Sequence, residues 1–423
     1  MLRHISKHPS RMSGFSMIEI LVGLAIGMLA SMVVLQIFAD NEARNRTASG
    51  SADAQTTGAI TLYQLQAQVQ RAGYGMNAKA LFNCNATWKV AKTGLSISKP
   101  VKLVPVSVNP TSVSGGVSST LIPAADANTD IVMVMYGNGN GEPEGSGITG
   151  TAGAVYTVNT LKAFSVGDRV VAAQGTAPDS CGTNTLNLDR VTTVVDGTSS
   201  ADITVSTAPG VAGTMLFNLG PGPSGANATP TTAMPTNGPT ILVYAVRGGV
   251  LTACDFNVND CSLASNATSS SVWVPVAENI VSLRAIYWKD ASAALWDGST
   301  TASDQTQPTT ACTWARVWGL NIMVVTRSDE YDKNIVTRAN STKVSGTPAL
   351  AAKAGASALA PTWNTAAFNV TAPVVLGTDD TTDQAWRHYR YRGFQTLVPI
   401  RNVPWMIPRG DSAQFSAWKA ACP

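Results

Sequence analysis

Gly14-Phe15-Ser16-Met17-Ile18-Glu19 opens an apolar run that continues to Ala39. Across residues 15–39 the only ionisable side chain is Glu19. Residues 20–39 supply the ~20 positions a helix needs to cross a bilayer. An ionisable group in hydrocarbon is costly, so Glu19 marks a functional site and calls for a partner. Ahead of the run stand Arg3, Lys7 and Arg11 with no acid, and Pro9-Ser10 breaks the segment. Basic residues on that side put the N-terminus in the cytoplasm and everything after Asp40 outside. A secretory signal would have a shorter apolar core and end at small residues of the A-x-A kind. This run instead ends Gln36-Ile37-Phe38-Ala39-Asp40. A plain signal anchor fits the length but gives no reason for Glu19.

These residues resemble the class III signal of type IV prepilins and type II secretion pseudopilins. That signal is a short basic leader ending in Gly, then Phe, an acid four positions on, and an apolar helix. Gly14, Phe15 and Glu19 match it position by position. The resemblance implies removal of leader 1–14 by prepilin peptidase and N-methylation of Phe15. Gly suits the cleaved position because a missing side chain lets a protease approach the backbone closely. Glu19 would then lie one helical turn from a new cationic amine, its own or a neighbour's. In low dielectric that pairing offsets much of the burial cost and can set subunit register.

Gly23, Gly27 and Ser31 recur at four-residue spacing and share one helix face. Such small-residue rows let helices approach closely in membranes or in a filament core. The alternative is simply a glycine-rich membrane helix. Major pilins carry a proline in this segment, whereas residues 15–39 contain none.

The chain has 423 residues, 29 basic and 26 acidic, and the leader holds three of the basic ones, so the mature chain is neutral. Neutrality argues against a general polyanion binder and lowers nucleic acid as a partner. All six cysteines, Cys84, Cys181, Cys254, Cys261, Cys312 and Cys422, lie beyond the apolar run. An even number on the oxidising side reads as disulfides, and six cysteines allow fifteen connectivities. Cys254 and Cys261 flank a loop-like D-F-N-V-N-D and are the first pair expected, the others staying open. No C-x-x-C occurs and His388 is the one histidine after the leader, so no metal or cofactor is expected.

Past Ala39 the helical pattern continues through Leu62, Leu65 and Val69, with Gly50 a point of interruption and Gly73-Tyr74-Gly75 a stop. Strand-like runs follow at 131–136, 168–172, 241–246, 250–253, 280–288, 317–325 and 394–400. Low-complexity loops are expected at 137–153, 220–239 and 345–361. The fold class expected is therefore α+β. A long N-terminal apolar helix would pack on an enlarged antiparallel β-rich domain, with segments 15–39 in the membrane or filament core, 40–75 as amphipathic continuation and 76–423 as the globular part.

Ala72-Gly73-Tyr74-Gly75 after Gln70-Arg71, the block 278–288, Ala315-Arg316-Val317, Val325-Thr326-Arg327-Ser328, His388-Tyr389-Arg390-Tyr391-Arg392-Gly393-Phe394 and the closing Arg401-Asn402 together look like PilW-type minor pilins. The match is fullest over the first ~75 residues, moderate over the C-terminal third and only in outline over 85–240. This family's cysteine after the A-G-Y segment comes late here, at Cys84, so its pairing is not carried over. Resemblance implies a non-enzymatic assembly protein anchored in the inner membrane with its domain in the periplasm, and later in the pilus, at its tip. Implied partners are other minor pilins, the major pilin, a PilY-type tip adhesin, prepilin peptidase and the inner-membrane assembly platform. The related J-type pseudopilin of type II secretion is the alternative.

Four other motifs read better as structure. Gly410-Asp411-Ser412 with His388 lacks a nucleophile elbow or oxyanion pattern. Asp255, Asn257, Asn259 and Asp260 begin like a calcium loop, but its sixth position is Asp260 instead of Gly and its twelfth Asn266 instead of Glu. The glycine-rich 137–145 has no basic phosphate ligand or helix after it. In 388–392, tyrosines and basic groups would alternate faces of a strand.

Overall fold

The computed structural model describes residues 16–403 except 77–79, 91–92, 115–116, 124, 127–128, 138–144, 175–180, 182–183, 207–212, 222–238, 291–300, 334–335, 337–348, 353–358, 363, 366–367 and 370–387. Its first element is a 55-residue α-helix, Met17–Arg71, which runs through Gly50 without a break. The helix stops where Gly73 and Gly75 take positive φ, +79° and +65°, values open to glycine at little cost.

The first half of the helix is exposed along its length among the described residues, Met17 84% and Phe38 70%. Its second half lies on an antiparallel sheet of four strands in the order Thr301–Asp304, Ile280–Asp290, Val317–Arg327, Tyr391–Pro399. One face of the helix is buried at Gly50, Ala54, Gly58, Thr61, Leu65, Val69 and Ala72, a row with three- and four-residue spacing. Tyr63 on the opposite face is 71% exposed. Packing of one stripe supplies most of the stability of a helix this polar.

A second antiparallel sheet holds five strands in the order Val274–Ala277, Val250–Asp255, Thr240–Arg247, Val132–Tyr136, Val106–Val108. Leu65 and Val69 of the helix and the inward faces of both sheets share one core, which contains Trp273, Tyr287 and Trp314. Asp130 knits the sheets together. Its carboxylate accepts from the Ala285 N–H at 3.0 Å and from Asn109 Nδ2 at 3.0 Å, and it pairs with the buried Arg284 at 3.3 Å.

Thr240–Arg247 and Val132–Tyr136 are immediate antiparallel neighbours, Thr240 facing Tyr136, yet about a hundred residues separate them in the chain. The intervening segment folds as a closed barrel. Ser146–Ala152 pairs with Val155–Val158, that strand with Ala201–Val205, and that with Thr185–Asp196. The ring continues to Asp168–Ala173 and Met215–Pro221, which returns to Ser146–Ala152, every pairing antiparallel. Closure removes the open edges a small sheet would present. The barrel has its own core of Tyr156, Val158, Phe164, Val170, Val191, Ile203, Val205 and Leu216, separate from the main one. It joins the body where Asn85–Thr87 pairs in parallel with residues 185–187 and where Cys84 bonds Cys181.

Besides the unbroken helix at Gly50, the loop expected at 345–361 carries an antiparallel pair, Ala349–Ala352 with Leu359–Thr362, and two more expectations change. The stretch 137–153 is partly strand, because Gly147 and Ser146 close the barrel against Met215 and Leu216. The run His388-Tyr-Arg is not yet strand: regular pairing starts at Tyr391 opposite Arg327, and the residues before it fold over Tyr331 and Asp332.

Candidate functional site: the N-terminal helix and its seam

Gly14 and Phe15 lie outside the described residues. Ser16 caps the helix: its hydroxyl accepts from the Ile18 N–H at 3.4 Å, and the Glu19 carboxylate reaches back to the Ser16 N–H at 3.3 Å. This is a capping box, with the acid in the first turn where the helix dipole favours negative charge. Glu19 thus has a partner within its own chain, and its side chain stands exposed at the helix start. The S-x-x-E spacing before an apolar run is the sequence signal for this capping role, whereas the expectation for Glu19 was an amine partner.

Gly23, Gly27 and Ser31 share the face expected of them, with nothing within 4 Å of a Cβ built at either glycine. The Ser31 hydroxyl donates to the Gly27 carbonyl at 2.8 Å, which satisfies it inside the helix and leaves a smooth, small-residue surface. Among the described residues this is one helix long and apolar enough to cross a membrane.

The segments that carried the family resemblance meet at the other half of the helix. Thr326 donates its hydroxyl to the Ala54 carbonyl at 2.9 Å. Arg392 reaches the Ser51 hydroxyl at 3.4 Å. The Phe394 ring lies where a side chain at Gly58 would be, 2.1 Å from the position of a Cβ. Asn402 donates its amide to the carbonyls of Arg71 at 3.2 Å and Ala72 at 3.0 Å, capping the last turn from 330 residues away. Sequence reasoning missed Gly58 and Asn402 as contacts, since neither a helical glycine nor an asparagine after a strand announces its partner.

The cysteines fall into order around the domain. Cys84 bonds Cys181 and Cys254 bonds Cys261. Cys312 is disulfide-bonded too, and Cys422 lies outside the described residues. These bonds point to an extracytoplasmic domain.

The acids of the Cys254–Cys261 loop turn inward to backbone. Asp255 accepts from the Asn257 N–H at 2.9 Å, and Asp260 from the N–H groups of Ser262 at 2.9 Å and Ser98 at 2.7 Å. Asp255 is buried and its carboxyl is pushed up to about 7, burial outweighing the hydrogen bonds and the charge of Arg169 from the barrel. Among the described residues no group of three or more His, Cys, Asp or Glu could hold a metal. His388 stacks on Tyr331 at 4.6 Å, and its Nδ1 is 2.7 Å from the Asp332 carbonyl oxygen. Asp411, Ser412 and 138–144 lie outside the described residues.

A long apolar N-terminal helix followed by, and half packed on, an antiparallel β-rich domain is a pilin-like architecture. No protein-family model, characterised protein or solved structure matches the chain.

Proposed function

We propose that this chain is a minor pilin of a type IV pilus, of the PilW kind, and acts in assembly without catalysis. The observation that carries the reading is the division of one 55-residue helix into a bare apolar half headed by Glu19 and a half seated on the domain. A subunit so built can pass from membrane to filament with the domain riding on the same helix. Glu19 would exchange its local capping bond for an N-terminal amine after cleavage at Gly14, and Gly23, Gly27 and Ser31 would form the close face. Other minor pilins and the major pilin are its partners, with prepilin peptidase and the inner-membrane platform acting on it. The roughly 350 residues beyond the helix, with an inserted barrel, favour a place at the tip beside a PilY-type adhesin, where bulk hinders no subunit above.

Mass spectrometry of the membrane-extracted protein should find methyl-Phe15 at the N-terminus, dependent on prepilin peptidase. An intact leader in peptidase-competent cells sinks the reading. A deletion separates it from the J-type pseudopilin alternative: pili and twitching are lost in the first case, enzyme secretion with pili intact in the second.

A further inference from the structure

Arg169, on the barrel strand Asp168–Ala173, stands directly opposite Arg190 on the antiparallel strand Thr185–Asp196. Strand alternation puts them on the same face as Val171 and Leu188, which belong to the main core. The pair therefore lies on the outer side of the barrel, where it meets the body. Arg169 is 5% exposed and Arg190 half-buried. Like charges directly opposite on neighbouring strands destabilise a sheet. Burial first, and then the charge of Arg190, pull Arg169 below the ordinary guanidinium range. On its other side Arg169 faces Gly220, which adds no side chain to the row.

The chain does not satisfy this pair. Nε of each is buried without a hydrogen-bond partner, and such an atom in a native fold calls for an explanation. Arg247, Arg284 and Arg327 share that orphan atom but have other compensation. Arg284 pairs with Asp130, Arg247 donates to the Pro123 carbonyl, and Arg327 lies over the Tyr389 ring. Arg169 and Arg190 have neither an ion pair nor a ring contact among the described residues. Asp189 and Asp255 act on Arg169 only through their fields. The Asp255 carboxyl is itself pushed up to about 7 by burial, so near neutral pH it offsets only part of two positive charges.

We propose that Arg169 and Arg190 bind a phosphate group, either free phosphate or a monoester. Two planar forks of N–H donors suit a tetrahedral oxyanion, which accepts from the outer nitrogens of both. A phosphate carries about −1.5 to −2 near neutral pH, enough to balance two guanidiniums, whereas a carboxylate balances one. Its presence removes the repulsion between the strands and ties the barrel to the body at their junction. The inference depends on neither the membrane placement of the helix nor the pilus reading.

The test is isothermal titration of the full chain in detergent with inorganic phosphate, phenyl phosphate and acetate, at one ionic strength set by chloride. Inorganic phosphate is expected to bind with a dissociation constant of about 1 mM or tighter, and acetate about tenfold more weakly. Arg169→Gln and Arg190→Gln should each weaken phosphate about tenfold, the loss of one charge-assisted hydrogen bond. Without phosphate each variant should melt at the parent's temperature or above it, since one of two opposed charges is gone. An arginine with a purely structural role would lower it. Should Arg169→Gln fail to fold, the half-buried Arg190 still carries the test. Binding of phenyl phosphate assigns the site to a monoester, and its exclusion assigns it to the free ion. No saturable phosphate binding, acetate binding as tight as phosphate, or an unchanged phosphate affinity in the variants overturns the proposal.

Discussion

Gly58 carries no side chain because Phe394 fills the place, its ring atoms 2.1 and 2.3 Å from a Cβ built there. An alanine must push the ring aside or lift the helix off the strand, and such overpacking costs about 1–3 kcal/mol. Gly58→Ala should therefore lower the denaturation midpoint of the purified chain, although alanine is the better helix former by about 1 kcal/mol. Gly23→Ala and Gly27→Ala meet nothing within 4 Å and should leave that midpoint unchanged or slightly raised. Equal effects at all three sites would refute the close approach. Asp255 makes a second prediction. With its carboxyl pushed up from 3.8 to about 7, the native chain holds a proton between those values that the unfolded chain releases. The stability from that proton is full below about pH 4 and is lost as pH rises through about 7. The shift corresponds to a loss on the order of 2–4 kcal/mol between pH 5 and pH 8. Asp255→Asn keeps an acceptor for the Asn257 N–H and removes the titration, so the variant should melt at nearly the same temperature at both pH values. A pH difference as large as in the parent chain would rule this out.

At the scale of elements, what could be read in the chain follows the size of the side chains. Leu65 and Val69 announced the buried face of the helix by their spacing, and both are fully buried. The same face continues through Gly50, Ala54, Gly58 and Thr61, which carry no apolar contrast, so this half of the stripe was invisible. Gly50 looked like an interruption because a lone glycine disfavours helix; here it admits the domain, with Ser328 and Glu330 Cβ at 3.5 Å. The central strands 280–288 and 317–325 were plain because both faces are buried and the runs are nearly continuous in apolar residues. Ser146–Ala152 was hidden: it is rich in Gly, Ser and Thr, its pattern is mostly half-exposed, and barrel closure rather than propensity makes it a strand. Of the apolar half, the sequence places Glu19 in the first turn and Gly23, Gly27 and Ser31 along the helix. The seam contacts from Thr326, Phe394 and Asn402 could not be read, since they join positions some 270 to 336 residues apart, Phe394 and Gly58 the farthest (394 − 58 = 336).

For the molecule as a whole, the barrel is an insertion between two strands that would be neighbours without it. Tyr136 and Thr240 already face each other at the end of a hairpin, so an Asn-Gly turn can replace 137–239 with native twist. The main core would keep Leu65, Val69, Trp273, Tyr287 and Trp314 but lose Val171, Ala173, Leu186, Leu188, Phe217 and Leu219, which the inserted segment contributes to it, while the barrel takes its second core with it. Other losses are local. Asn85–Thr87 loses its parallel partner, and Cys84 loses Cys181, so Cys84→Ser belongs in the same variant. Asp255 loses the charge of Arg169. The shortened chain is expected to melt in one cooperative step with the Cys254–Cys261 bond formed, and the excised barrel to fold without the rest. A variant that is cleaved throughout by a protease sparing the parent chain would show that the barrel props up the body. If the shortened chain also restores pilus number in cells lacking the full one, the barrel serves what the tip meets, and assembly belongs to the helix and its seam.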